Sequence, residues 1–190
     1  MFTDFIHAWG SIPFAEGQAK YTLEDLDPYA RYELFEGDVP SAFRVHAGDV
    51  TVDGPARIGA TDYDDVTMHI IEGDLTIHGG AVFSQHAHYG VLYVQGDLRC
   101  ENAFFDSDTR VYVDGTMRVK NLFITGLTSD ASQVVLGALE ATHWRRYWER
   151  GSIRFVRSGP EPQAFDDLQE RAVIEAVKAG DNAKLAALLG

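Results

Sequence analysis

The chain has 190 residues, of which 45% are apolar and 24% charged, a composition typical of a folded globular protein and not of a disordered or membrane-embedded one. Its formal net charge of −13 disfavours general binding to nucleic acid or anionic membranes, because both depend on basic protein surface. The single cysteine, Cys100, excludes an intramolecular disulfide framework and a zinc site built on thiolates.

The first residues lack the basic start and apolar run of a signal peptide, and no stretch approaches the ~18 apolar residues of a membrane span. We therefore expect a cytoplasmic protein. Residues 1–42 are predicted to form an N-terminal cap with a short helix, in which Asp27 caps, Pro28 begins and Gly37 ends the helical turn.

The central part of the chain repeats a short motif that begins with glycine. Copies read GDVTVDG, GDLTIHG, GDLRCEN and GTMRVKN, and a weaker fifth copy reads GALEATH. Their first glycines are Gly48, Gly73, Gly96, Gly115 and Gly137. A spacing near 20 residues with variable length is typical of stacked coils joined by loops.

The residues after each glycine alternate in character, as strand residues do. Two and four positions after the glycine, the residues are apolar: Val50, Leu75, Leu98, Met117 and Leu139, then Val52, Ile77, Cys100, Val119 and Ala141. The residues at three and five positions are mostly polar or charged: Thr51, Thr76, Arg99, Arg118 and Glu140, then Asp53, His78, Glu101, Lys120 and Thr142. This pattern predicts one strand per copy, with the apolar set inward and the polar set in solvent.

Glycine or asparagine stands six positions after the first glycine in four copies, at Gly54, Gly79, Asn102 and Asn121. Both residue types tolerate left-handed backbone, so we predict corners there and interpret the Gly-Asp pairs as turn formers. A further apolar run precedes each glycine, and often another follows the corner. The fold class is therefore mainly β: a single parallel β-helix of about five coils over residues 43–157, with α-helical caps at both ends.

Residues 158–190 are predicted to form a C-terminal helical hairpin. Phe165, Leu168, Val173 and Val177 recur at roughly helical spacing, and Gly180 ends that helix before the shorter NAKLAALL helix. Such a pair resembles one ankyrin-type repeat, which cannot bury its apolar face alone. We expect it to pack on the β-helix or on another subunit, most simply as a cap.

No residue pattern points to catalysis, a cofactor or a metal. His86 and His88 would point to one side of an extended chain, but two ligands do not define a metal site. Asp74 and Asp97 sit beside corner glycines, where aspartate is expected without a catalytic role. Cys100 occupies an inward position and is predicted to be a small core residue.

Two groups of residues are candidates for binding a protein partner. The first lies in acidic loops and comprises Asp62, Asp64, Asp65, Asp106 and Asp108. The second lies in a locally basic, aromatic segment and comprises Trp144, Arg145, Tyr147 and Trp148. For this second group the alternatives are a terminal coil whose aromatic side chains cover the lumen, a protein contact, or single-stranded nucleic acid.

The repeated GDLTI, GDLRC and GTMRV pattern over residues 43–143 resembles the bactofilin-like, polymer-forming β-helix proteins. With long loops and appended helices, the chain is more similar to the β-helical immunity proteins encoded beside bacterial polymorphic toxins. That resemblance implies a bacterial protein without catalytic activity, which neutralises a cognate toxin by occluding its active site. It identifies no individual binding residue.

The preferred hypothesis is therefore an immunity protein, a monomer or homodimer whose partner is a basic toxin domain. The alternatives are a bactofilin-like assembly unit and a carbohydrate-active β-helix enzyme. The enzyme would require an outward groove lined by carboxylates and arginine or lysine.

Overall fold

The apolar runs on both sides of each repeat glycine form short strands that stack in parallel with the strands of the next copy. A computed structural model describes residues 9–21, 42–58, 67–85, 91–130, 132–163 and 167–189. The strands form a β-solenoid of about four turns, close to the five coils predicted from the repeats. The parallel β-helix predicted from the sequence is thus confirmed.

Thirteen strands and three helices are described. The strands are β1 (Gly10–Pro13), β2 (Ala42–His46), β3 (Val50–Asp53), β4 (Ala56–Ile58), β5 (Thr67–Ile71), β6 (Leu75–His78), β7 (Gly80–Gln85), β8 (Val91–Val94), β9 (Leu98–Cys100), β10 (Asn102–Ser107), β11 (Arg110–Leu127), β12 (Gln133–Glu149) and β13 (Ser152–Ser158). The helices are α1 (Phe14–Lys20), α2 (Asp167–Ala179) and α3 (Asn182–Leu189).

The solenoid has three parallel sheets. The first contains β2, β5, β8, the beginnings of β11 and β12, and β13. The second contains β3, β6, β9 and the middle parts of β11 and β12, and the third contains β4, β7, β10 and the ends of those two long strands. β1 adds to β2 in the antiparallel direction and lies at the N-terminal edge of the first sheet.

The lumen is filled by the two apolar columns that the sequence predicts. In the first column every residue is buried, from Val50 at 8% exposure to Leu98 and Met117 at 0%. In the second, Val52, Ile77, Cys100 and Val119 are buried and Ala141 is partly buried. The third sheet adds an aromatic row whose neighbouring ring centroids are 4.5, 5.0 and 6.0 Å apart: Phe83, Phe105, Phe123 and Trp144.

The repeat glycines Gly73 and Gly96 are required by a close contact between coils as well as by the turn. A Cβ atom on Gly96 would lie 2.2 Å from the Asp74 Oδ1 atom and 2.7 Å from the Gly73 backbone, and Gly73 meets the same obstacle one coil earlier. These corners therefore need glycine because successive coils approach closely there, and not because their backbone is left-handed.

Left-handed backbone occurs at Gly48 and Gly54, with φ of 88° and 95°. The prediction of left-handed corners at the two asparagines is wrong, because Ser107 is the one non-glycine residue of the described chain with positive φ. Asn102 begins β10 instead, and its Oδ1 atom accepts a hydrogen bond from the Leu122 N–H at 3.3 Å. The amide side chain thus joins two neighbouring coils.

The outer face of the first sheet is apolar and is covered in part by the N-terminal segment. Phe43 stacks on Phe14 of α1 and on Tyr21, with ring centroids 5.4 and 6.5 Å apart. Tyr21 also donates a hydrogen bond to Glu72, which pairs with Lys20 at 2.5 Å. The helix predicted around residues 27–37 lies outside the described residues.

The outer face of the third sheet is also apolar, and the C-terminal hairpin packs against it. The buried contact joins Val173, Ala176 and Val177 of α2 and Leu185 of α3 to Val82, Phe104, Leu122 and Ile124 of the sheet. The predicted hairpin and its packing on the β-helix are confirmed, and it covers a side of the solenoid. One residue of the predicted apolar stripe is misplaced, since Leu168 is 83% exposed.

Candidate interaction surface

The outer face of the second sheet is polar and accessible, unlike the outer faces of the other two. We call it the open face and define it by its two outward columns of side chains, each at least partly exposed. The first column is Thr51, Thr76, Arg99, Arg118 and Glu140, and the second is Asp53, His78, Glu101, Lys120 and Thr142. This is the solvent-facing set that the alternating pattern predicts.

A ladder of aspartates runs along one border of the open face. The Asp49 Oδ1 atom accepts a hydrogen bond from the Asp74 N–H, and the Asp74 Oδ1 atom accepts one from the Asp97 N–H, both at 2.8 Å. Asp97 repeats the contact with the Thr116 N–H at 2.8 Å. Each aspartate therefore ties its own coil to the next one, and the repeat glycine of that next coil leaves room for the carboxylate.

Two arginines join this ladder to the centre of the face. Arg99 donates to Asp74 at 2.6 Å and to Asp97 at 2.7 Å. Arg118 donates to Asp97 and, at 3.0 Å, to Glu140. Each exposed ion pair contributes little stability alone, but the shared partners restrict the directions of all five side chains.

These contacts also hold the carboxylates in their ionised form. The hydrogen bond from Arg99 and that from the Asp97 N–H lower the pKa of Asp74. Burial opposes ionisation of Asp97, but the Thr116 N–H and the Arg118 guanidinium outweigh it and lower the pKa of this carboxyl as well. Both groups are therefore negatively charged at neutral pH.

A shallow groove crosses the C-terminal half of the open face. Its polar lining comprises Arg99, Arg118, Lys120, Glu140 and Thr142. Together with its bordering aspartates the open face carries six carboxylates and three basic side chains, so its net charge is −3. The carboxylates are Asp49, Asp53, Asp74, Asp97, Glu101 and Glu140, and the basic groups are Arg99, Arg118 and Lys120.

The structure places the predicted acidic candidate Asp106 away from any loop. Asp106 lies in β10 at 5% exposure, accepts a hydrogen bond from the Tyr147 hydroxyl at 2.8 Å and pairs with Lys178 at 3.2 Å. It therefore joins the third sheet to the C-terminal hairpin and is not an accessible binding residue. Asp108, two residues further on, is partly exposed at a turn.

Trp144 of the aromatic segment is also a structural residue. It is 5% exposed, its ring lies 5.5 Å from that of Phe155, and its indole N–H donates to Thr125 Oγ1 at 3.1 Å. Trp144 therefore fits the first of the three alternatives for this segment, an aromatic side chain that covers the lumen. One further strand, β13, pairs with β12 beyond it.

The other members of that segment lie on the third sheet. Tyr147 stacks on Phe104 with ring centroids 6.1 Å apart, and both burial and its bond to Asp106 raise the pKa of its hydroxyl. Arg145 is partly exposed and donates to Gln163. The Trp148 side chain, Asp62, Asp64, Asp65, His86 and His88 lie outside the described part of the chain.

Within the described ranges, no group of three or more His, Cys, Asp or Glu side chains has the geometry to hold a metal ion. Cys100 is buried, and burial raises the pKa of its thiol. It is the core residue that its inward position predicts.

The ion-pair network is not evident as a unit from the repeats alone. Its signal was present, because aspartate follows glycine at positions 49, 74 and 97 and arginine occupies the outward column at positions 99 and 118. The repeat alignment correctly placed Thr76, Arg99 and Arg118 in one register. It did not show that each arginine reaches the aspartate of the preceding coil.

Comparisons with known proteins give no relative. No family model, no curated protein and no solved structure matches this chain. Among the described helices, none combines the length and apolar character needed to cross a membrane.

Proposed function

We propose that this protein is a non-catalytic protein-binding module whose open face docks on a basic protein. The observation that carries the proposal is the ordered network of Asp74, Asp97, Arg99, Arg118 and Glu140 on a net acidic face. Side chains held in place by one another lose little freedom when a partner binds. Their excess negative charge favours approach of a basic surface and disfavours an acidic one.

Within this class we propose an immunity protein, as the resemblance of the repeats implies. Its basic partner would be a toxin domain such as a nuclease, whose active site the open face would cover. Such neutralisation requires a stable complex and no chemistry from the immunity protein. The rigid solenoid supports this role, because its binding surface is formed before the partner arrives.

The test is affinity purification of the tagged protein from its native host, comparing wild type with Asp53→Lys. Asp53 is exposed on the open face, and the substitution changes the local charge by two units. Wild type should recover one stoichiometric basic protein, and Asp53→Lys should recover much less of it. Lys120→Glu should recover at least as much as wild type, since it makes the open face more acidic.

The matched control is Glu175→Lys, which makes the same change of charge on an exposed position of α2. It should recover the partner as wild type does. Equal losses in Asp53→Lys and Glu175→Lys would contradict docking on the open face. Recovery of the tagged protein alone as a polymer would instead favour a bactofilin-like assembly unit.

The groove also favours a second candidate, a carbohydrate-active protein. Its lining combines Arg99, Arg118 and Lys120 with one carboxylate, Glu140, and the two arginines also reach carboxylates at its border, Asp74 and Asp97. The network assigns these carboxylates a pairing role, so we rank this candidate second. Binding or cleavage of acidic polysaccharides, weakened by Lys120→Glu but not by Lys184→Glu on α3, would promote it above protein binding.

A further inference from the structure

The last strand of the solenoid has an unused edge. β13 pairs with β12 along one side, from Ser152 opposite Gln133 to Ser158 opposite Ala138. No strand among the described residues pairs with its other side. A strand edge of this kind presents backbone N–H and C=O groups that can bind another extended segment.

The opposite end of the first sheet is protected in a way that β13 is not. There β1 covers β2 as an antiparallel strand, and β1 ends at Pro13, which has no backbone N–H to donate. This asymmetry disfavours simple stacking of one copy on the end of another. It leaves the C-terminal edge as the better position for adding a strand.

The charge around β13 is opposite to that of the whole protein. Residues 152–158 contain two arginines and no acidic residue, a net charge of +2, in a chain of net charge −13. Arg154 and Arg157 are exposed on β13 itself, and Val156 between them is 56% exposed. A β13 edge paired with the β13 edge of a second copy would bring these arginines together, which is unfavourable.

We propose that the free edge of β13 binds an acidic, extended segment of another protein as an added β-strand. The backbone of the segment would pair with the β13 edge, and its carboxylates would face Arg154 on the outer side. Its alternate apolar side chains would extend the inward row of Ile153 and Phe155. This site is distinct from the open face and prefers the opposite charge. The proposal for β13 can therefore be tested independently of the proposed function.

The test uses the full-length protein and two synthetic seven-residue peptides, one alternating valine and glutamate and the other alternating valine and lysine. Binding is followed by NMR titration, and hydrogen exchange reports which backbone amides become protected. The glutamate peptide should bind and slow exchange at β13 amides, and the lysine peptide should bind at least about tenfold more weakly. Protection elsewhere, or equal binding of both peptides, would overturn the proposal.

One variant, its control and a modified peptide sharpen this result. Arg154→Glu should weaken binding of the glutamate peptide about tenfold, whereas Arg171→Glu, the same charge change on exposed α2, should leave it unchanged. A glutamate peptide methylated at its backbone nitrogens should not bind, because it cannot donate hydrogen bonds to the C=O groups of the β13 edge. Binding that survives this methylation would rule out strand addition.

Discussion

The outer faces of the second and third sheets belong to the same solenoid but differ in whether their side chains are covered or exposed to water. The third sheet presents Val82, Phe104 and Ile124 outward, and the C-terminal hairpin covers them. The second sheet presents threonine and charged residues, which pair with one another and remain in water. A repeat fold therefore does not by itself determine which of its outer faces is packed and which is accessible. The outward residues decide which side is packed and which is available.

The largest expected effect on stability distinguishes the inward side chains of the second sheet from its outward ones. Leu98→Asp should unfold the solenoid, because an unpaired charge in the lumen costs several kcal/mol. Thr76→Asp, on the open face, should change the free energy of unfolding by less than about 0.5 kcal/mol. Urea denaturation followed by circular dichroism measures both. Comparable damage from the two would refute the assignment of inward and outward columns.

The covered face should respond to loss of its hairpin contact. Val177→Ala removes buried side-chain volume between α2 and the third sheet and should lower stability by about 2 kcal/mol. Leu168→Ala in the same helix should have no measurable effect, since Leu168 is 83% exposed. Thermal unfolding would show the difference. An unchanged Val177→Ala protein would mean that the hairpin contributes no stability to the solenoid.

The corner between the first and second sheets should be intolerant of even one methyl group. Gly96→Ala would place Cβ against Asp74 and the Gly73 backbone and should cost about 1–3 kcal/mol through overpacking. Gly10→Ala is the control, because a Cβ at Gly10 meets nothing within 4 Å. If both variants were as stable as wild type, the close approach of the coils would not be the reason for glycine at this corner.

The smallest expected effect concerns the charge of the ladder. Asp97 has a lowered pKa in the folded state, so its contribution is present above its unfolded value near 3.8 and is lost as the pH falls through the folded value. Asp97→Asn keeps an oxygen for the Thr116 N–H and removes the charge. The free energy of unfolding of Asp97→Asn should decrease less steeply than that of wild type as the pH falls below about 3.8.

Asp97→Ala removes both the charge and the acceptor, so it should lower stability further, by about 1 kcal/mol relative to Asp97→Asn. Melting temperatures from pH 7 to pH 2.5 would compare the three proteins. Identical acid profiles for wild type and Asp97→Asn would exclude a role for the ionised ladder in stability.

The sequence predicted the parts of this fold that depend on local alternation. Leu75, Leu98 and Met117 are buried because every second strand residue faces the lumen, and this period is visible in one copy of the motif. The hairpin was predictable for the same reason, from helical spacing and Gly180, whose φ is 67°. These features need no knowledge of what lies beside each segment.

The features that the sequence missed depend on contacts between coils. Asp106 looks like a loop residue until β10 is placed beside Tyr147 and α2, which are 41 and more residues away. The need for Gly96 likewise arises from Asp74 in the preceding coil. The antiparallel β1 carries no clear strand pattern and forms because β2 offers it an edge.

The aspartate ladder also makes the coils interchangeable. The contact by which Asp49 holds Asp74 is the contact by which Asp74 holds Asp97, with the same atoms and the same 2.8 Å separation. A segment that begins at one corner and ends before the next therefore has matching ends. If residues 73–95 were duplicated, each copy would meet the same aspartate-to-backbone contact at both of its ends. The solenoid could therefore be lengthened by one coil without redesigning any corner.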